Sequence, residues 1–294
     1  MLPPIAPPTP PARPTVPGDA RGVLRPAAAS EQFSLERVAP SAEVAPYVEY
    51  HWVVAWALPP GSVHHQKVLP APSVNMTFQP WGVRISGVMR GQFSTELQGT
   101  ERVLGVRFHP GGFRPFLGAP LATITDRQLA IADVFGPEGD ALWTQVRAGA
   151  DRDDPTGMAA LVDELLAARA PETPPGEIAL VTGIVDTIAG DPSITRADHV
   201  ADRFGLHPRT LQRLFADWVG VGVKWVLQRY RIYEAVDLAA TGEQVGWSRV
   251  AADLGFTDQA HFTRVFSAMV GVSPARYARE CAAAVVADRQ TVEN

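Results

Sequence analysis

Residues 195–218, TRADHVADRFGLHPRTLQRLFADW, predict two short helices joined by a tight turn. Apolar side chains recur at helical spacing on both sides of Gly205, and the second helix is expected to begin near Pro208, a residue that a first helical turn tolerates. Gly205 can adopt the positive φ that such a turn requires, and the small Ala201 allows the helices to cross closely. The outer face of the second helix is polar, so the stretch has the pattern of a helix-turn-helix that can enter a major groove.

The same pattern returns at residues 250–266, VAADLGFTDQAHFTRVF, where Gly255 corresponds to Gly205 and Ala251 to Ala201. The second turn is one residue longer than the first. Between the two units, residues 224–240 predict one long helix, which at 1.5 Å per residue is about 25 Å long. Such a helix can hold two recognition helices about 34 Å apart, roughly one turn of a DNA duplex.

Two helix-turn-helix units on one bridging helix, closing with GFTDQAHFTRVFSAMVGVSPARY, resemble the DNA-binding domain of AraC/XylS transcription regulators. The resemblance covers residues 177–280 and is most specific in the second unit. The chain departs from the family pattern at Gly222 and Val223, where the family usually has Ser-Pro. It also departs at Ala260, where the family often has serine, so a hydroxyl contact to phosphate is expected to be missing. The resemblance implies a sequence-specific regulator of double-stranded DNA, with RNA polymerase as a further partner if the chain is an activator.

The outer faces of the two recognition helices carry the side chains expected to contact DNA. An arginine can donate two hydrogen bonds to guanine, and a glutamine can pair in the same way with adenine. In this family the second unit often contacts the backbone more than the bases. A solvated helix face is the alternative interpretation, Arg213 could instead clamp a phosphate, and Lys224 and Arg229 could equally be solvent-exposed. Transferred to this sequence, the family pattern implies base contacts from Arg209, Gln212, Arg213, Gln259 and Arg264, and further contacts from Thr210, His261, Thr263, Lys224 and Arg229.

Composition excludes several classes of protein. The chain has 294 residues, enough for two domains, a hydrophobic fraction of 46% that supports buried cores, and a net charge of −5. Residues 178–280 carry 11 Lys and Arg against 11 Asp and Glu, so affinity for DNA must come from where the charges lie. A single cysteine, Cys281, excludes a disulfide framework and a zinc cluster of cysteines. The sequence shows neither an apolar run of about 18–20 residues nor a signal segment, so we expect a cytoplasmic protein without a membrane partner.

Upstream of the repeated units, a β-rich domain is expected over residues 31–137. Residues 48–56 alternate strictly, with Val48, Tyr50, Trp52, Val54 and Trp56 on the face expected to point inward. Short antiparallel strands separated by Pro- or Gly-bearing turns predict a small barrel or sandwich. Residues 68–70 and 103–113 also resemble, more loosely, the N-terminal half of one branch of the same family. The further strands are expected at residues 67–69, 74–79, 83–89, 94–97 and 103–108.

The remaining segments complete an α+β protein with an all-α C-terminal domain at residues 177–282. Residues 1–30 are rich in Pro and Ala and predict a disordered tail; the family resemblance allows instead an arm that folds over a ligand or DNA. Residues 138–170 predict helices with an apolar stripe, which either packs on the β domain or forms the seam of a homodimer. Residues 171–176 predict a semi-extended linker, and residues 283–294 a frayed C-terminal tail. The stripe comprises Met158, Leu161, Val162, Leu165 and Leu166.

The β domain offers a candidate pocket, whose aromatic lining with one arginine would suit a weakly polar organic molecule, including an anionic one. Alternatively, these side chains simply fill the barrel. The histidines at positions 51, 64, 65 and 109 do not match a compact metal-ligand motif, and we expect neither a metal nor a cofactor. We also expect no enzymatic activity. The alternatives are a barrel enzyme fused to a DNA-binding module and a ligand-free dimerising adaptor. The predicted pocket residues are Trp52, Trp56, Asn75, Trp81 and Arg107.

Overall fold

The computed structural model describes residues 22–24, 29, 32–240 and 246–292. In its N-terminal half, six antiparallel strands form one sheet in the order β1-β2-β7-β4-β5-β8, and β3 pairs with β6 in a second, two-stranded sheet. Pro or Gly stands in most of the connections, as the sequence predicted. The strands are β1 (Ser34–Val38), β2 (Val48–Ala57), β3 (Val63–Val68), β4 (Asn75–Gln79), β5 (Gly82–Ser86), β6 (Phe93–Gln98), β7 (Thr100–Phe108) and β8 (Gln128–Ala130).

The sheets do not close into a barrel, so that alternative was wrong. The six-stranded sheet is open, with β1 and β8 at its edges, and the two sheets face each other across a cavity. The pairing register of β2 shifts between Val48 and Tyr50, and this irregularity breaks the expected alternation. Val48 packs with Val53 in the main core, whereas Tyr50 and Trp52 line the cavity. The aromatic face of β2 is therefore a cavity wall, and the tightly packed core lies on the opposite face of the sheet.

Helices cover that opposite face of the six-stranded sheet. Side chains from the long helices, such as Leu142 and Val162, join the sheet residues Val53 and Leu104 in one buried cluster. Since both faces of the sheet are covered, its strands can carry apolar side chains on both sides. The covering elements are α1 (Arg114–Leu117), a 3₁₀ turn (Leu121–Ile124), α2 (Ala132–Phe135), α3 (Pro137–Asp151) and α4 (Pro155–Arg169).

The apolar stripe of α4 packs on the β domain. Met158, Val162 and Leu166 are buried, and Leu161 and Leu165 are half-buried against the same core. On the same helix, Asp163 forms a buried pair with His51 of β2, with 2.7 Å between Oδ1 and Nε2, and also accepts a hydrogen bond from the Ser41 amide. The stripe therefore packs against the β domain of the same chain, and this favours the first of the two predicted roles rather than a homodimer seam.

The C-terminal half is helical, and its core is built from both helix-turn-helix units and the helix between them. One buried cluster contains Val200, Phe215, Val226 and Phe262. The two units therefore share a single hydrophobic core. Residues 283–292, predicted as a frayed tail, instead continue the last helix. The helices are α5 (Gly176–Gly190), α6 (Ala197–Arg203), α7 (Pro208–Trp218), α8 (Val223–Ala240), α9 (Trp247–Asp253), α10 (Gln259–Val270) and α11 (Pro274–Val292).

Part of the predicted N-terminal tail packs against the folded chain. Val23 pairs with Val68 in an isolated bridge, Leu24 is buried in the C-terminal core, and Ala29 is buried beside Phe33. The prediction of disorder was therefore wrong for residues 22–24 and 29, and the other residues of that segment lie outside the described residues.

Candidate DNA interface and ligand pocket

The first helix-turn-helix unit presents a polar outer face on α7. Gly205 has a φ of 61°, as the turn prediction required, and the His207 ring nitrogen Nδ1 caps α7 by accepting a hydrogen bond from the Arg209 amide at 3.2 Å. Leu211 and Phe215 are buried under the helix. These anchors orient the other faces of α7 outward, and the predicted contact residues Arg209, Thr210, Gln212 and Arg213 are all exposed.

The second unit presents a less open face on α10. Asp258 caps the helix by accepting a hydrogen bond from the His261 amide at 2.7 Å, while Phe262 and Phe266 are buried beneath it. Gln259 and Arg264 are exposed, but the Gln259 Oε1 already accepts a hydrogen bond from the Ser248 hydroxyl at 2.6 Å. The two weaker candidates, His261 and Thr263, are half-buried.

The two remaining candidates, Lys224 and Arg229, both lie on the bridging helix α8 but differ in exposure. Lys224 is exposed near its first turn. Arg229 is completely buried, so its expected contact with DNA is wrong. Its Nη2 donates to the carbonyl of Arg90 at 2.8 Å and to that of Met89 at 3.3 Å. Burial lowers the pKa of Arg229 to about 10. The helical spacing gave a signal for this burial, because position 229 lies three residues after the buried Val226 and four before the buried Tyr233.

The two halves of the chain are bonded to each other along this helix and along the first unit. The Tyr233 hydroxyl donates to the carbonyl of Leu69 at 2.8 Å. The Thr125 hydroxyl donates to the carbonyl of Gly220 at 2.6 Å. Leu69 is also buried in the core of the C-terminal helices. The N-terminal half therefore touches both the bridging helix and the end of the first recognition helix.

A cavity of about 240 Å³ lies between the two sheets of the β domain. All five predicted pocket residues line it, and Trp81 is 65% exposed. The indole of Trp52 lies directly over Gly105 of β7, where any side chain would collide with the ring. The sequence prediction did not name several further residues of the lining. They include Arg37, Tyr50, Gln66, Ser73, Thr77 and Phe93.

The charge of Arg107 is held firmly in the cavity wall. Its Nε lies 2.7 Å from a carboxylate oxygen of Glu49, and its Nη1 donates to the Tyr50 hydroxyl at 3.0 Å. Burial alone would lower the pKa of Arg107, but Tyr50 and Glu49 outweigh that effect and raise it above its usual value. Arg107 is therefore a permanent cation, and it faces the cavity.

The histidines form no metal site within the described residues, where no group of three or more His, Cys, Asp or Glu side chains is placed to hold an ion. His51 is paired with Asp163, and His64 with Gln66 at 3.1 Å. Among the described helices, none combines the length and apolar character that crossing a bilayer requires.

Comparison with known families and proteins agrees with this division of the chain. Residues 200–280 match a family described as a helix-turn-helix domain, and residues 36–130 match one described as a domain of unknown function (DUF6597). The transcriptional activator RhrA of Rhizobium meliloti (strain 1021) is 30% identical over 113 residues, which cover 38% of this chain and 36% of RhrA. The chain thus matches little more than a third of that relative's length.

Crystal structures of ToxT from Vibrio cholerae are also similar. An apo variant covers 82% of this chain and 98% of its own, with 13% identity and a TM-score of 0.37. The wild-type protein bound to an unsaturated fatty acid covers 84% and 91%, with 12% identity and a TM-score of 0.34. At these TM-scores the likeness says nothing about what this chain binds. Residues 200–280 therefore match a helix-turn-helix domain in sequence, and the structure places the two helix-turn-helix units in and directly before this segment.

Proposed function

We propose that this protein is a sequence-specific DNA-binding transcription regulator whose N-terminal domain binds a small organic molecule. The observation that carries the proposal is the pair of capped recognition helices held on one buried helix, each presenting exposed arginine and glutamine side chains. On α7, Arg209 and Arg213 are exposed, and the first acidic residue of the helix is Asp217, which pairs with Arg114 at 2.8 Å. The charge of the domain is balanced overall, and the exposed Arg209, Arg213 and Arg264 place positive charge on the two recognition helices.

Direct base contacts are assigned to Arg209, Gln212 and Arg213 in the first unit. Their side chains are long, polar and exposed on one helix, which suits the major-groove edges of guanine and adenine. In the second unit, Arg264 is free to reach DNA, whereas Gln259 would first have to release Ser248. The remaining candidates, Lys224, Thr210, His261 and Thr263, are assigned to the phosphate backbone.

We assign the cavity as the binding site of an effector, because residues of its wall also contact the C-terminal helical half. Leu69 and Met89 both line the cavity, and their carbonyls accept hydrogen bonds from Tyr233 and Arg229 of α8. A molecule that shifts this wall would shift groups bonded to the bridging helix. Binding in the cavity and binding to DNA would then be coupled, as two ligands of one protein are when each favours the same conformation.

The curated relative is named a transcriptional activator, and by analogy we assign activation, with RNA polymerase as a partner, to this chain as well. A homodimer would require a surface other than the apolar stripe of α4, which packs on the β domain.

The proposal is tested by selecting genomic DNA fragments with the full chain and footprinting the enriched ones. We expect two consecutive major-groove segments to be protected on one face of the duplex, because both helix-turn-helix units pack with α8 in one core. Affinity should fall steeply with salt as phosphate contacts release counterions. Equal binding to every duplex would refute the proposal, and protection of a single segment would remove the second unit from the interface.

A further inference from the structure

One wall of the cavity changes from polar to apolar along the strands. Four cavity-lining side chains, Tyr50, Arg107, Asn75 and Ser86, occupy directly paired positions on four neighbouring strands. This set is called the polar row below. It crosses the sheet at one level, so its hydroxyl, guanidinium and amide groups lie side by side.

Moving along the same strands away from the polar row, the wall becomes mainly aromatic and aliphatic, although Thr77 and Gln79 of β4 also line it. Two residues further on, the paired positions hold Trp52, Gly105 and Thr77, and two residues beyond that they hold Val54 and Val103. At about 3.3 Å per residue, Arg107 and Val103 are about 13 Å apart along β7. The cavity thus has a polar end and an apolar end, separated by about the length of a small organic molecule.

The polar end carries positive charge toward the cavity. The guanidiniums of Arg37 and Arg107 lie 4.1 Å and 5.4 Å from the centre of the Tyr50 ring, and both line the cavity. The acidic groups are less well placed to offset them. Glu49 pairs with Arg107 but does not line the cavity, and Glu96 does line it but is largely exposed beside His65.

A buried hydroxyl at the same wall lacks a partner. Ser73 is 3% exposed and lines the cavity, and its Oγ finds no hydrogen-bond partner among the described residues. An unsatisfied buried hydroxyl is costly, and an acceptor atom of a ligand would satisfy it. The neighbouring Asn75 amide already donates to the Ser73 carbonyl at 3.3 Å, which fixes this corner of the wall.

We infer that the cavity binds a small amphipathic organic anion, with its acidic group at the polar row beside Arg107 and Ser73 and its apolar body along Trp52 and Val54. This inference rests on the proposed function, whose effector site it specifies. An apolar cavity of about 150 Å³ accommodates a benzene molecule, so 240 Å³ admits one aromatic ring with a short acidic chain. The cavity also borders the DNA-binding half, since Leu69 lines it and the Leu69 carbonyl accepts a hydrogen bond from Tyr233 of α8.

Head-group charge is tested with three probes of the same length and body: 3-phenylpropanoate, 3-phenylpropan-1-ol and 3-phenylpropylammonium. Each is titrated calorimetrically into the full chain at pH 7. Because charge-assisted hydrogen bonds are about twice as strong as neutral ones, we expect the acid to bind roughly tenfold or more tightly than the alcohol. The ammonium compound should bind more weakly than the alcohol. If the alcohol equals the acid, or if none of the three binds, the inference is overturned.

A pair of double variants then locates the acidic group. Arg107→Gln with Glu49→Gln removes the cation without leaving its half-buried carboxylate partner unpaired. The matched control, Arg102→Gln with Asp153→Asn, removes an ion pair from the opposite face of the same strand. We expect the first variant to reduce the preference for the acid to about twofold or less and the control to keep it. Equal weakening of acid and alcohol, or an effect in the control alone, would contradict the placement.

The comparison of the three probes on the wild-type chain decides the ligand class even if a variant fails to fold. Fragment selection on the same preparation keeps the two proposals separate. If the protein prefers particular duplexes but binds no acid, only the ligand class fails. If it binds the acid but shows no duplex preference, only the DNA-binding function fails.

Discussion

The two helix-turn-helix units share a sequence pattern but have different surroundings. In the first unit, α7 exposes Arg209, Gln212 and Arg213, and its far end is fixed to the N-terminal half through Asp217 and Gly220. In the second unit, α10 exposes one arginine, and its one glutamine is already hydrogen-bonded to Ser248. A duplicated motif therefore does not imply a duplicated role: we expect the first unit to read bases and the second mainly to hold the backbone.

The turn glycines of the two units also have different surroundings. Gly205 and Gly255 both have positive φ, 61° and 72°. The space beside Gly205 is open, whereas a Cβ at position 255 would lie 2.6 Å from the Thr195 Cγ2. Thr195 precedes α6 of the first unit, so the turn of the second unit packs against the start of the first.

Among the variants that test this comparison, we expect the largest loss of stability from Gly255→Ala, with Gly205→Ala as its matched control. A positive φ costs a residue with a side chain about 1–2 kcal/mol, and overpacking adds typically about 1–3 kcal/mol. The free energy of unfolding, measured with urea, should therefore fall by about 2–5 kcal/mol at position 255 and by about 1–2 kcal/mol at position 205.

The clash at position 255 can be separated from the cost of its backbone conformation. Thr195→Ala in the Gly255→Ala background should recover part of the loss, and it should recover none in the Gly205→Ala background. Equal losses at the two glycines would show that the packing of the second turn on Thr195 does not matter.

A smaller effect is expected from removing the exposed arginines. Arg209→Ala should weaken binding to a selected DNA fragment by about 1–3 kcal/mol and relax the preference at one base pair. Arg264→Ala should cost less than about 1 kcal/mol and weaken all sequences alike, since a phosphate contact carries no sequence information. Both are measured by titration against the selected fragment and its single-base variants. A base-specific loss at Arg264 would assign base reading to both units.

Features that depend on residues close together in the sequence could be predicted, whereas features that depend on distant residues could not. The turn at Gly205, the exposure of Arg209 and the inward position of Trp52 and Trp56 depend on local periodicity, and the structure places them accordingly. The burial of Arg229 depends on carbonyls 139 and 140 residues away in the chain, and the irregular register of β2 depends on its pairing with β7. Pairing with a distant strand overrides the local pattern in β2. For Arg229 the helical spacing indicates a buried position, but the charge of its side chain predicts an exposed one.

The buried side chains around Arg229 also show why charge alone is a poor guide to function. Its guanidinium satisfies backbone carbonyls of the loop between β5 and β6 and stacks 4.5 Å from the centre of the Trp225 ring. Arg213, which has no such partners in the described contacts, remains exposed on α7. The distinction between a buried and an exposed arginine in this domain therefore lies in which face of its helix the N-terminal half covers.

The smallest effect is expected from Asp217→Asn, which removes the ion pair that fixes the first unit to Arg114. Both side chains are partly exposed, so the free energy of unfolding should fall by about 0.5 kcal/mol or less at low salt. The loss should shrink further at about 1 M salt, where the screening length is about 3 Å. The control is Asp253→Asn in the second unit, whose Arg249 partner is within the same unit and highly exposed; no change is expected there. If the two variants lose the same free energy of unfolding at low salt, the Asp217–Arg114 pair does not stabilise the contact between the first unit and the N-terminal half. The hydrogen bond from Thr125 to Gly220 would then be the contact that holds them together.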